Sequence, residues 1–166
     1  MKKNIPFIIF SSVAFIFSLS LNAQTQQKKL NQVELHKQFY GKWFCEIGKD
    51  TIHAYVAIEF GKGSYWEHNI TTGKEVLTEG IAVIGYNAKY DKFIGTSIDK
   101  GKDAHNIASW FTTPTIHIQM NLEFISHPEN APWSTESEIV DSDTYVEKVF
   151  VKNELLETKI WKRVKQ

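Results

Sequence analysis

From Gly41 onward, turn-forming clusters interrupt the chain at strand-length intervals, and this spacing limits the fold more than any other feature. The clusters stand at 48–50, 61–64, 72–74, 87–89, 99–103, 112–114, 126–132, 141–143 and 152–154. Gly, Asn and Asp reach the left-handed backbone that tight turns need, and Pro fixes φ, so each cluster ends a strand. Nine interruptions leave ten candidate strands. No interval has room for the repeated crossover helices of a parallel sheet. An aromatic share of 13% suits pleated, half-buried strands. The chain is therefore read as all-β, an antiparallel up-and-down barrel of about ten strands. Closure removes the exposed edges that an open meander would leave.

One barrel domain accounts for residues 41–166, with no internal repeat or domain boundary. Residues 24–40 are polar, with Leu30, Val33 and Phe39 spaced for one short amphipathic helix leading into it. Residues 1–23 read as a signal peptide: Lys2 and Lys3 precede an apolar run from Ile5 to Leu19, and the first carboxylate is Glu34. Cleavage after Ala23 is expected, giving a periplasmic or secreted protein with no stable membrane insertion afterwards. Losing two lysines and no carboxylate changes the formal charge from zero to −2.

Several functions lack support in the residues. Equal numbers of basic and acidic side chains, 19 of each, argue against nucleic acid as a partner. The single cysteine, Cys45, excludes an internal disulfide and a cysteine-based zinc site, and reads as a small buried hydrophobe. No His-Glu-x-x-His or His-x-x-x-His spacing, nucleophile elbow or dinucleotide fingerprint occurs. Gly61-Lys62-Gly63-Ser64 joins two strands, so it is a hairpin turn rather than a phosphate cradle. No metal, cofactor or catalytic residue is assigned.

Alternation supplies the facing of each strand. Between 116 and 124 every even position is apolar and every odd one polar, as a half-buried strand requires. Ile52, Ala54, Val56, Ile58 and Phe60 form a second apolar face, opposed by His53, Tyr55 and Glu59. The run 81–84 is apolar on both sides, which calls for some cover on the outer wall.

Gly41-Lys42-Trp43 opens the first strand directly after the short helix, and Trp161-Lys162-Arg163 closes the last. This resembles the calycin superfamily, the lipocalins and fatty-acid-binding proteins, and within it the small bacterial secreted lipocalin-like proteins. There a Gly-x-Trp opens strand one, and a late basic residue lies across the Trp at the closed end. The resemblance implies structural roles for Gly41, Trp43 and Arg163, and a barrel that carries a small apolar or amphipathic molecule.

With apolar faces pointing inward, the expected ligand-binding residues are Trp66, His68, His105, Ile107, Ser109, Ile118, Met120 and Tyr145, above a floor of Trp43 and Cys45. His68 and His105 stand out as inward groups able to donate to a carboxylate or carbonyl. His53 and His117 alternate outward on the same assumption. Two other functions fit the same barrel. One is a filled interaction module packed solid by Trp66, Trp110, Phe111 and Phe124. The other is an isomerase or hydrolase using the cavity.

Overall fold

The computed structural model describes residues 29–165, so the expected signal peptide lies outside the described residues. Helix α1 (Gln32–His36) runs into a single 3-10 turn (Lys37–Phe39). Ten strands follow: β1 (Gly41–Glu46), β2 (Thr51–Phe60), β3 (Gly63–Thr72), β4 (Glu75–Asn87) and β5 (Lys92–Asp99), then β6 (His105–Phe111), β7 (Ile116–Asn121), β8 (Trp133–Asp141), β9 (Thr144–Val151) and β10 (Glu154–Arg163). Each strand pairs antiparallel with its sequence neighbours, and β10 pairs back onto β1 through Trp43–Arg163 and Phe44–Lys162. The meander therefore closes into a ten-stranded barrel. Among the described residues no helix is long and apolar enough to cross a membrane.

The turn chemistry explains the connections. At the β9–β10 hairpin, Lys152 (φ +50°) and Asn153 (φ +64°) both take left-handed backbone, the conformation a tight two-residue hairpin demands. The Asn153 amide also donates to the Glu129 carbonyl at 2.7 Å, tying this hairpin to the long β7–β8 connection.

The closed end is a plug built by the N-terminal segment. Gln32 behaves like a missing strand partner for Phe111: its amide donates to the Phe111 carbonyl at 3.0 Å, and its oxygen accepts from the Phe111 N–H at 2.7 Å. His36 stacks on Phe93 with centroids 4.0 Å apart and hydrogen-bonds Ser64 Oγ at 2.8 Å. Phe39 then enters the barrel and packs with Trp43, Tyr55, Phe111, Tyr145 and Trp161 in the main core cluster.

At this end Arg163 holds three segments together. Its guanidinium lies 4.1 Å from the centre of the Trp43 ring. It donates to the carbonyls of Ser142 at 2.7 Å, of Gln38 at 2.9 Å, and of Tyr40. Trp43 Nε1 in turn donates to the Phe39 carbonyl at 3.0 Å. Gly41 has φ +109°, and a side chain there would meet Arg163 Nη1. The glycine of the Gly-x-Trp pattern thus serves both an unusual backbone angle and the approach of the clamp.

Facing departs from the expectation on β2 and β7. In β2 the odd residues turn inward: Tyr55 and Ala57 are buried, whereas Ile52, Ile58 and Phe60 are exposed, Phe60 at 69%. In β7, His117 and Gln119 line the interior and Ile116, Ile118 and Met120 face the other way. Met120 is nonetheless buried, beside Ala108 across the β6–β7 ladder, where the turn at 122–124 folds back against β6. The physical reason is that the interior on these strands is lined by aromatic and polar side chains, so aliphatic alternation there marks the outer wall. Ile81 and Val83 fit this pattern and remain 42% and 48% exposed.

Candidate functional site

Inside the barrel lies a cavity of about 440 Å³. Strand direction divides its wall into two levels. The lower level, next to the plug, is aromatic: Phe39, Tyr55, Trp66, Tyr145 and Trp161 line it together with His117. Tyr55 and Trp66 lie 4.6 Å apart between ring centres, and Tyr145 stacks on Trp161 with planes 13° apart. The upper level, toward the hairpins opposite the plug, carries His53, His68, Asp99, His105, Glu157 and Lys159, with Glu147 reaching in from β9 and the apolar Trp133, Val149 and Leu156 completing the β8–β10 side.

Several polar groups of the upper level are paired, while His53 Nδ1 is buried without a hydrogen-bond partner. His68 Nε2 stands 3.1 Å from Asp99 Oδ1, and Lys102 Nζ stands 3.0 Å from Asp99 Oδ2. Lys159 Nζ meets Glu157 at 2.8 Å. Trp161 Nε1 donates to Glu147 Oε2 at 3.1 Å. His53 sits edge-on to Trp161 (4.8 Å) and 5.8 Å from His68 between ring centres. A belt of polar side chains therefore runs from β5 through β3, β2 and β10 to β9.

One glycine makes the His68–Asp99 pair possible. His68 and Asp99 belong to strands separated by β4, and the β4 residue paired with both is Gly80. A Cβ at position 80 would overlap His68 Nε2, Asp99 Oδ1 and the Ile98 carbonyl. The missing side chain is the space through which the imidazole and carboxylate meet.

Burial sets the charge states. Desolvation, reinforced by Lys159 and His68, lowers the His53 pKa to about 4. Burial and the nearby His36 lower that of His117 to about 3, and burial lowers His36 itself to about 4. These three imidazoles are neutral at neutral pH. Burial raises the Glu147 carboxyl above its ordinary value, with Lys159 and the Trp161 N–H only partly opposing it. Burial also acts against Asp99, yet the Lys102 hydrogen bond and the adjacent His68 hold its carboxyl below the usual value. Cys45 is buried, with its thiol pushed up to about 12 by desolvation, so it packs as a hydrophobe and supplies no nucleophile.

Of the residues singled out from the sequence, Trp66, His68, His105, Ile107 and Tyr145 line the cavity. Ser109 points inward on β6 but is buried in the wall, its hydroxyl without a hydrogen-bond partner. Ile118 and Met120 do not reach the cavity; the β7 residues that do are His117 and Gln119. His53 and His117, expected outside, are inside for the same reason of strand parity. As cavity residues, Asp99 and Lys159 escaped the sequence reading. The available signal was Gly80, a glycine inside a strand, which marks a place where other groups approach closely.

Among the described residues no cluster of three or more His, Cys, Asp or Glu side chains could hold a metal ion. No family model matches the chain, and no curated protein matches it. A closed ten-stranded antiparallel barrel with a polar-topped cavity is consistent with the calycin-like architecture.

Proposed function

We propose that the protein binds a small amphipathic molecule inside the barrel, in the manner of an exported calycin-like carrier. The observation that carries this reading is the gradient in the 440 Å³ cavity, from an aromatic floor to a hydrogen-bonding upper wall. Apolar walls with a few fixed polar groups suit small-molecule sites, because burial supplies affinity and the polar groups supply orientation. The open volume counts against a barrel packed solid for interaction alone. Flat rings of Tyr55, Trp66, Tyr145 and Trp161 favour a ring-bearing ligand over a bare alkyl chain. Each cation on the upper wall faces a carboxylate, so the favoured head is a neutral hydroxyl, carbonyl or amide rather than a free ion. Export through residues 1–23 belongs to this proposal and would place binding outside the cytoplasm.

The test is a titration of delipidated protein followed by tryptophan fluorescence, using 2-naphthol and palmitate as probes of the two ligand shapes. Naphthol is expected to quench with a Kd of order micromolar to tens of micromolar, tighter than palmitate. Thr135→Trp, which fills the cavity from β8, is expected to abolish binding while the fold persists. If neither probe binds below about a millimolar, the carrier reading fails.

A further inference from the structure

The geometry points to an acid–base site on the cavity wall, in which His68, oriented by Asp99, takes a carbon-bound proton from the bound molecule while Glu147 donates one to its carbonyl oxygen. This inference rests on the cavity being a binding site, and adds a reaction to it.

The constellation begins with Gly80. A strand interior gains nothing from glycine unless something needs the space, and here the space is occupied by the contact between His68 Nε2 and Asp99 Oδ1. The pair spans an intervening strand, so neither residue is held by accident of adjacency along the chain. Asp99 is fixed from its other oxygen by Lys102. With Nε2 committed to the carboxylate, Nδ1 is the nitrogen left to accept a proton. A base whose ring is oriented by a third group is a recurring arrangement in proton-transfer sites.

Glu147 supplies the other half. It lies on β9, across the polar belt from β3, and lines the same cavity. One oxygen accepts from Trp161 Nε1, which leaves the second free for a ligand. Burial favours its neutral form, which alone can donate. Two ionisable groups in one cavity, one oriented to accept and one whose burial favours the proton-bearing form against the pull of Lys159, make up an acid–base pair. The ligand class that uses both is a ring-bearing ketone with an enolisable C–H.

The step balances without any further reactant. The C–H bond beside the carbonyl breaks, its proton passes to His68, and its electron pair forms the C=C bond of the enol. The carbonyl π pair takes the proton from Glu147. Return of a proton to the same or a conjugated carbon, with Glu147 reprotonated from the enol hydroxyl, regenerates both groups. The net change is proton exchange or a shift of a double bond.

The experiment is NMR-detected deuterium exchange into 2-tetralone (ring C–H) in D2O with full-length delipidated protein, with binding measured in parallel by fluorescence. Exchange is expected at least tenfold above a protein-free control at the same pH. His68→Gln and Glu147→Gln are each expected to lose tenfold or more in kcat with KM changed less than threefold. Asp99→Asn and Gly80→Ala are expected to lose kcat in parallel, since one removes the orienting group and the other drives the pair apart. Asp99→Glu is expected to recover part of the rate, which a merely structural role would not produce. If tetralone binds but exchanges no faster than in the control, or exchange survives His68→Gln, the acid–base site is refuted while the carrier reading stands. If tetralone, naphthol and palmitate all fail to bind, both fall together.

Discussion

At the residue scale the clamp at the closed end is the most exacting arrangement. Arg163 combines a cation–π contact to Trp43 with hydrogen bonds to three carbonyls, two in the lead-in at Gln38 and Tyr40 and one in the β8–β9 turn at Ser142. Charge-assisted hydrogen bonds are stronger than neutral ones, and only a planar fork reaches several acceptors at once. Arg163→Ala is expected to cost about 2–4 kcal/mol in urea unfolding, and Arg163→Lys to recover less than half of that. Trp43→Ala is expected to cost about 3–5 kcal/mol. The double mutant should lose less than the two combined; additive losses would show that the side chains act independently.

The buried imidazoles give the same scale a pH signature. His36, His53 and His117 have folded pKa values of about 4, 4 and 3, below the ordinary 6.5. Above 6.5 both folded and unfolded forms are neutral and the groups contribute no pH dependence. As pH falls below 6.5 the unfolded chain takes up protons first, so stability drops by up to about 1.4 kcal/mol per pH unit for each imidazole. The loss levels off only as the folded values near 4 and 3 are passed. Glu147, raised in the folded state, acts in the opposite direction and softens the fall. Urea midpoints measured from pH 7.5 to 4.5 are expected to decline steeply below 6.5. His117→Phe, which keeps a ring between Phe39 and Phe111, should lessen the slope by about a third. An unchanged slope in that variant would mean that His117 is not held neutral.

At the scale of elements, β7 offers the sharpest contrast. Gln119 faces the cavity and Ile118 faces away, so Gln119→Trp is expected to weaken naphthol binding at least tenfold and Ile118→Trp to leave it within about threefold. Reversed effects would show that β7 faces the other way. Helix α1 also acts as an element through Gln32, whose two bonds to Phe111 seal the floor; Gln32→Ala is expected to cost about 2–3 kcal/mol. The strands, their order and the helix were legible because turn residues and the period-two pattern are local signals. Facing on β2 and β7 was not, since alternation tells which residues share a side and not which side is the interior. The usual assignment of the aliphatic side to the core failed because this interior holds aromatic rings and histidines. The His68–Asp99 pair was half visible: His68 stood out as an inward histidine, but its partner is two strands away, and only three-dimensional register brings them together.

For the whole molecule, closure of β10 onto β1 and the plug at one end leave a cavity whose wall changes from aromatic rings beside the plug to polar side chains shared with Trp133 and Leu156 farther up. A ring-bearing amphipathic molecule matches that order from the floor upward. Native mass spectrometry of the protein, purified without detergent from cells that produce it and then incubated with their lipid extract, tests this most directly. One bound small molecule per chain is expected, absent from Thr135→Trp under the same conditions. A bare chain mass before and after incubation, identical in the wild type and in Thr135→Trp, would contradict it.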